Sequence, residues 1–164
     1  MKQPDYRILY PRQIILITTA GTYKGEEKNN ICTLAWSTPT SFSPELVAIS
    51  VNNDSLSNQL IRETGEFVIN IPSIDMKDKV LLCGSTTGRV ADKFKETGFT
   101  AIAAEKVKPK LIKECLANIE CKVTDSIKTG DHTLFIGKIA AARENKENKE
   151  KVLMDGGGRN FFGG

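Results

Sequence analysis

The stretch ICTLAWSTPTSFSPELVAISV, residues 31–51, joins two of the most apolar segments of the chain through a run of hydroxyl side chains around its only tryptophan. NICTLAWST (30–38) and LVAISVN (46–52) are rich in Ile, Val and Thr, and they read as strands. Between them a polar turn is predicted, holding Trp36, Ser37, Thr38, Thr40, Ser41 and Ser43 with Pro39 and Pro44. One tight turn does not need so many hydroxyls. Either they bond to the backbone of a loop, or the turn is the wall of a binding site. A flat heteroaromatic ligand wants backbone donors and acceptors at its polar edge, an apolar face such as Trp36 beside it, and small hydroxyls nearby.

Outward from this stretch the pattern stays β-rich. IILITT (14–19) and FVINI (67–71) are further short strands. From Cys115 to Ile127 the chain alternates, with Cys115, Ala117, Ile119, Cys121 and Val123 on one face and Asn118, Glu120, Lys122 and Thr124 on the other. That is the signature of a long half-buried strand. KTGDH then turns it back into residues 133–142, an antiparallel hairpin closed at Gly130. Helices are few: SLSNQLIRET stops at Gly65, a second covers Met76 to Cys83, and a short third runs from Val90 to Thr97 ahead of Gly98. ENKENKEKVL reads as a polar helix or a loop. Many strands with short helical insertions predict a mainly β fold, a barrel with flanking helices, rather than a βαβ sheet.

The chain has 164 residues, which suits one domain, and its 40% hydrophobic and 26% charged residues are those of a globular protein. A net charge of +3, with Lys and Arg scattered among acidic residues, argues against a nucleic-acid binder. No apolar run is long enough to span a membrane and MKQPDYRILYPRQ lacks a signal-peptide core, so a cytoplasmic protein is expected. Cys32, Cys83, Cys115 and Cys121 contain no CxxC pair, and a lone His132 does not build a metal centre, so no metal is expected. The end of the chain, DGGGRNFFGG, reads as a mobile tail or a segment ordered on binding.

Three further segments could carry chemistry. In NNDSLSNQL the start of a helix near Ser55 would bring its unpaired N–H groups together with the Ser55 and Ser57 hydroxyls, a place that attracts anions. The alternative there is simple capping by Asn53 or Asp54. CGSTTGRVADKF puts Arg89 and Lys93 with several hydroxyls at another helix start, without the order of a P-loop. His132, at the mouth of the hairpin, is either exposed or placed to donate a proton near neutral pH.

In order, PRQIILITTAG, NICTLAWSTPTSFSPELVAISV, SLSNQLIRETGEFVIN, CGSTTGRVADKF and GDHTLFIGKI resemble the flavin reductase-like family of FMN-binding split barrels, the group with the flavoredoxins and ferric reductases. The resemblance runs from about Pro11 to Ala142, with residues 143–164 as a C-terminal extension. It implies a split β-barrel that pairs into a homodimer with FMN near the interface. Electrons would pass from NADH, NADPH or a protein donor through FMN to an acceptor. It also implies that Asn30, Ile31, Cys32, Thr33 and Leu34 meet the isoalloxazine largely through backbone, beside Trp36, Ser37 and Thr38. Ser55 and Ser57 would hold the phosphate, Arg89 or Lys93 would compensate its charge, and His132 would sit near the flavin or nicotinamide. Relatives often carry a basic residue where this chain has Asn53 and Asp54. Arg159 and Phe161 match the closing Gly and aromatic run of the family.

Overall fold

The computed structural model describes residues 5–158 and 160–164. After a 3-10 turn (Tyr6–Leu9) come strands β1 (Arg12–Gln13), β2 (Ile15–Tyr23), β3 (Glu26–Leu34), β4 (Ser37–Phe42) and β5 (Glu45–Asn52). Helix α1 (Leu56–Thr64) leads into β6 (Glu66–Ile71), followed by α2 (Lys77–Ser85), α3 (Lys93–Thr97) and the short pair β7 (Ala101–Ile102) and β8 (Leu111–Ile112). The hairpin of β9 (Ala117–Thr129) and β10 (His132–Glu144) precedes β11 (Leu153–Asp155) and β12 (Phe161–Gly163).

The main sheet has seven strands in the order β3-β2-β6-β9-β10-β5-β4, all pairs antiparallel. Laid flat, strands spaced by about 4.8 Å would set its two edges about 29 Å apart. Yet those edges, β3 and β4, are joined by Ala35 and Trp36 alone, a reach of about 11 Å at most. The sheet therefore curls on itself, and because β3 and β4 do not pair along their length it is a split barrel.

Alternation along the strands fills the barrel. Ile15 and Ile17 of β2 point inward with Val47, Ile49 and Val51 of β5, Phe67 and Ile69 of β6, and Phe135 of β10. Gly137 is required there, since a Cβ at that position would stand 2.6 Å from the Phe67 ring. Leu16 and Ile31 point outward into a second cluster against Met76, Val80 and Cys83. α1 ends as its sequence predicts: Gly65 takes φ +69° and its N–H bonds Ile61 O at 2.8 Å.

Four expectations are corrected. Residues 37–42 are not a turn but the edge strand β4, and the chain reverses at Ser43 and Pro44 instead. β9 is covered on both faces over residues 117–121, with Lys122 and Thr124 exposed as expected: Asn118 bonds Asn70 Oδ1 at 2.8 Å, and the Glu120 carboxylate accepts the N–H groups of Glu105 and Lys106. The stretch around 103–116 lies over that face, and carboxylate and amide partners there make burial of polar side chains tolerable. α3 begins only at Lys93, where the Asp92 carboxylate caps the Lys95 N–H at 3.2 Å. Finally, the C-terminal segment is ordered as part of a sheet, β1-β11-β12, with Leu153 fully buried, while residues 145–150 take the loop alternative, tied by Asn145 and Asn148 side chains. Arg159 lies outside the described residues, and Phe161 packs against the second core cluster.

No helix among the described residues is long and apolar enough to cross a membrane.

Candidate functional site

β3 is an edge strand, so every second residue turns its N–H and C=O away from β2. Ile31 O accepts a bond from Lys93 Nζ at 2.7 Å, which identifies the odd residues, Ile31 and Thr33, as the outward set. The same ammonium donates to Cys83 O at 2.7 Å. Lys93 is only 3% exposed, so it is a staple between β3 and the end of α2 rather than the free cation expected from its sequence. Burial drives its pKa down, against the pull of Cys32, Cys83 and Glu96.

The side chains of this strand are likewise engaged. Ile31 is buried against α2, Thr33 Oγ1 donates to Val80 O at 2.7 Å, and Cys32 and Leu34 pack against the barrel core. Any contact from 31–34 to a ligand therefore runs through the open backbone edge. Asn30, 3% exposed, donates from Nδ2 to Ser57 Oγ at 2.9 Å, while its Oδ1 is buried with no partner among the described residues. Gly88 lies directly over it: a Cβ there would collide with Oδ1.

The start of α1 is the second part of the site. Ser55 is the N-cap, not Asn53 or Asp54: its Oγ accepts the Asn58 N–H at 3.1 Å and donates to Asn52 O at 2.8 Å. Asn53 instead clamps the β9–β10 turn, donating to Gly130 O and accepting from Thr133. The N–H groups of Leu56 and Ser57 have no acceptor among the described residues. Arg89 Nη2 donates to Asp54 O at 2.9 Å, and its buried Nη1 is unpartnered among the described residues. A cleft of about 310 Å³ lined by Asn53, Asp54, Asn58, Gln59, Arg62 and Arg89 opens beside these groups. Arg62 was missed in the sequence, although it sits seven residues after Ser55, two turns along one helix face.

The third part faces outward from the barrel. Even-numbered residues of β5 lie on that face, and His132 pairs with Asn52 across the β5–β10 ladder. The Trp36 indole is 4.9 Å from the His132 ring and 5.4 Å, edge to face, from Tyr6. His132 Nδ1 sits 2.7 Å from Asp131 Oδ1, and this bond holds the Asp131 carboxyl below its usual range. Ser37 and Thr38 stand beside Trp36 on β4, with Thr38 Oγ1 donating to Pro39 O. Tyr6 gave no sequence signal, because its contact with Trp36 spans thirty residues of chain. Only Asn53 and Asp54 separate Asn52, the partner of His132, from the N-cap Ser55, so the second and third parts meet at the end of β5.

Among the described residues no group of three His, Cys, Asp or Glu side chains is placed to hold a metal ion.

A family model of the flavin reductase like domain matches residues 6–162. An uncharacterized protein of Archaeoglobus fulgidus is 40% identical over 131 residues, 80% of this chain and 71% of that one. A flavin reductase (NADH) of Kitasatospora aureofaciens is 31% identical over 143 residues, 84% of this chain and 68% of that one. A solved structure of flavoredoxin from Methanosarcina acetivorans matches at a TM-score of 0.85 with 25% identity, covering 100% of this chain and 90% of that chain. A split barrel whose open strand edge meets a helix start and an aromatic wall defines the class, and the chain belongs to the flavin reductase-like family.

Proposed function

We propose that this chain binds FMN and transfers electrons as an NAD(P)H-dependent flavin or ferric reductase. The observation that carries the reading is polar capacity without a partner among the described residues beside the start of α1: the outward Thr33 N–H of β3, the acceptor Asn30 Oδ1, and as donors the N–H groups of Leu56 and Ser57 and Nη1 of Arg89. A flavin with a phosphate tail fits that donor set. Bound there, FMN would supply the hydride and single-electron chemistry that amino-acid side chains lack.

The residues divide the work. Leu56 N–H and Ser57 N–H would face the phosphate at the positive end of α1, with Arg89 and Arg62 compensating its charge, while the Ser55 hydroxyl, spent on Asn52 O and the Asn58 N–H, caps the helix. Arg89 does so in place of Lys93, whose ammonium is spent on Ile31 and Cys83. The exposed Asp54 carboxylate opposes an anion, and the two guanidiniums outweigh it. The Thr33 N–H on the open edge would meet the polar rim of the ring, a preorganised donor that needs no reorientation as charge builds. Trp36 would shield the ring from water, and His132, oriented by Asp131, would hold or pass a proton near the nicotinamide.

A homodimer is part of the reading. Its support is the apolar surface left uncovered: Phe42 is 100% exposed and Ile8 85%. A cytoplasmic location follows from the same reading.

The similarity to flavoredoxin favours a second form, an FMN electron carrier that does not oxidise NAD(P)H itself. Anaerobic addition of NADH, then NADPH, to the FMN-loaded protein separates the two. Rapid bleaching of the flavin bands means a reductase. Persistent bands that bleach with dithionite mean a carrier.

A further inference from the structure

The outward cleft beside Trp36 contains a cation that the flavin reading does not use. Leu46, Ala48 and Ser50 of β5 point out of the barrel, and the small Ala48 and Ser50 leave a dent between Trp36 and Leu134. Its volume is about 300 Å³. Tyr6, Leu9, Trp36 and Leu134 form apolar walls, Ser37 and Ser50 offer hydroxyls with no partner among the described residues, and Arg12 reaches in from β1.

Arg12 is held but not satisfied. Its Nε is buried and has no acceptor, and it joins no ion pair among the described residues. The register partner Asp155 spends Oδ1 on the Gly157 N–H at 2.8 Å. No carboxylate lines the cleft. An incoming anionic oxygen would give the Arg12 guanidinium a counter-ion that the described residues do not supply. The planar guanidinium fork matches a carboxylate, whereas a single cation among apolar walls suits a pyrophosphate poorly.

We propose that this cleft is a binding site for a small planar organic carboxylate, its ring against Trp36 and its carboxylate on Arg12. In the electron-transfer reading such a ligand is an acceptor or an effector held beside His132. The site itself does not require that reading.

Trp36 is the only tryptophan, so all indole fluorescence of the chain reports on this wall. The full-length protein, as purified, is titrated with benzoate and with its neutral isostere benzamide. Benzoate is expected to change the emission saturably and to bind at least about tenfold more tightly than benzamide, the difference one charge-assisted bond makes. Arg12→Gln should abolish that preference while keeping the benzamide response. Ser50→Leu, which fills the dent from β5, should abolish both responses. Equal binding of the two ligands, no saturable response to either, or a preference that survives Arg12→Gln would overturn the site. If Arg12→Gln does not fold, the benzoate and benzamide comparison on the wild-type chain decides. A protein that never retains FMN but prefers benzoate tenfold would sink the flavin reading and leave this one standing.

Discussion

Lys93 Nζ lies 2.7 Å from Ile31 O and 2.7 Å from Cys83 O, so one buried ammonium ties the open edge of β3 to the end of α2. An unpaired buried charge is costly, and here two carbonyl dipoles stand in for a counter-ion. Lys93→Met removes the charge but orphans both carbonyls. Each charge-assisted bond contributes about 1.5–3 kcal/mol, partly offset by relief of the buried charge. The expected net loss is about 2 kcal/mol, read as a lower urea midpoint. A variant as stable as the wild type would show that the staple is dispensable.

Gly88 and Asn30 form a second contact that one methyl group would break. Gly88→Ala drives a Cβ into Asn30 Oδ1, so the 86–91 segment must lift or the Asn30 bond to Ser57 must go. A loss of about 1–3 kcal/mol is expected. Adding Asn30→Ala should cost much less in the Gly88→Ala background than alone, because the collision is then gone. Additive losses in the double-mutant cycle would mean that the two sites do not touch.

Much of the barrel was legible in the sequence, because short runs rich in Ile, Val and Thr, such as IILITT and LVAISVN, mark strands, and alternation in the 115–127 run marks one apolar face. Gly65, Gly98 and Gly130 marked their turns for the same local reason: each takes a positive φ. What stayed hidden depends on long-range pairing. STPTSF has the composition of a turn and becomes strand only because β5 offers it a ladder. Glu120 looks solvated until Glu105 and Lys106 close over it, and DGGGRNFFGG looks loose until β11 meets β1. Within the site, the structure brings Asn30, Ser57 and Arg89, which lie in three separate stretches of the sequence, to the start of α1. Lys93 was misjudged, because burial of a lysine cannot be read from its spacing.

The buried thiols make stability fall at alkaline pH. Burial pushes Cys83 up to about 11 and Cys121 up to about 12, with Cys32 and Cys115 raised as well, from an ordinary value near 9.0. Above about pH 9 the unfolded chain loses thiol protons that the fold keeps, so the fold binds more protons and its stability drops as pH rises. Below about pH 9 their contribution is fully present. Lys93, with its lowered pKa, acts in the opposite direction across part of this range. Urea midpoints should fall steadily from about pH 9 to about pH 11, and more shallowly in Cys121→Ala than in the wild type. Equal slopes would exclude Cys121 from the effect.

The C-terminal sheet is expected to support the fold rather than decorate it. Leu153 is fully buried among Ile14, Ile31 and Val80. Leu153→Ala should cost about 2–5 kcal/mol, as for other core leucines. Thermal melting would show it directly, and an unchanged midpoint would return this segment to the status of a tail.

The most direct test of the account is retention of FMN. The full chain is loaded with FMN, freed of excess by gel filtration, and its visible spectrum is compared with that of Arg89→Ala carrying Arg62→Ala. The account predicts flavin bands at about one FMN per chain in the wild type, with Trp36 emission quenched, and loss of both in the double variant. A wild-type protein that emerges colourless, or a double variant that retains FMN as tightly, would contradict the placement of the flavin between β3 and the start of α1.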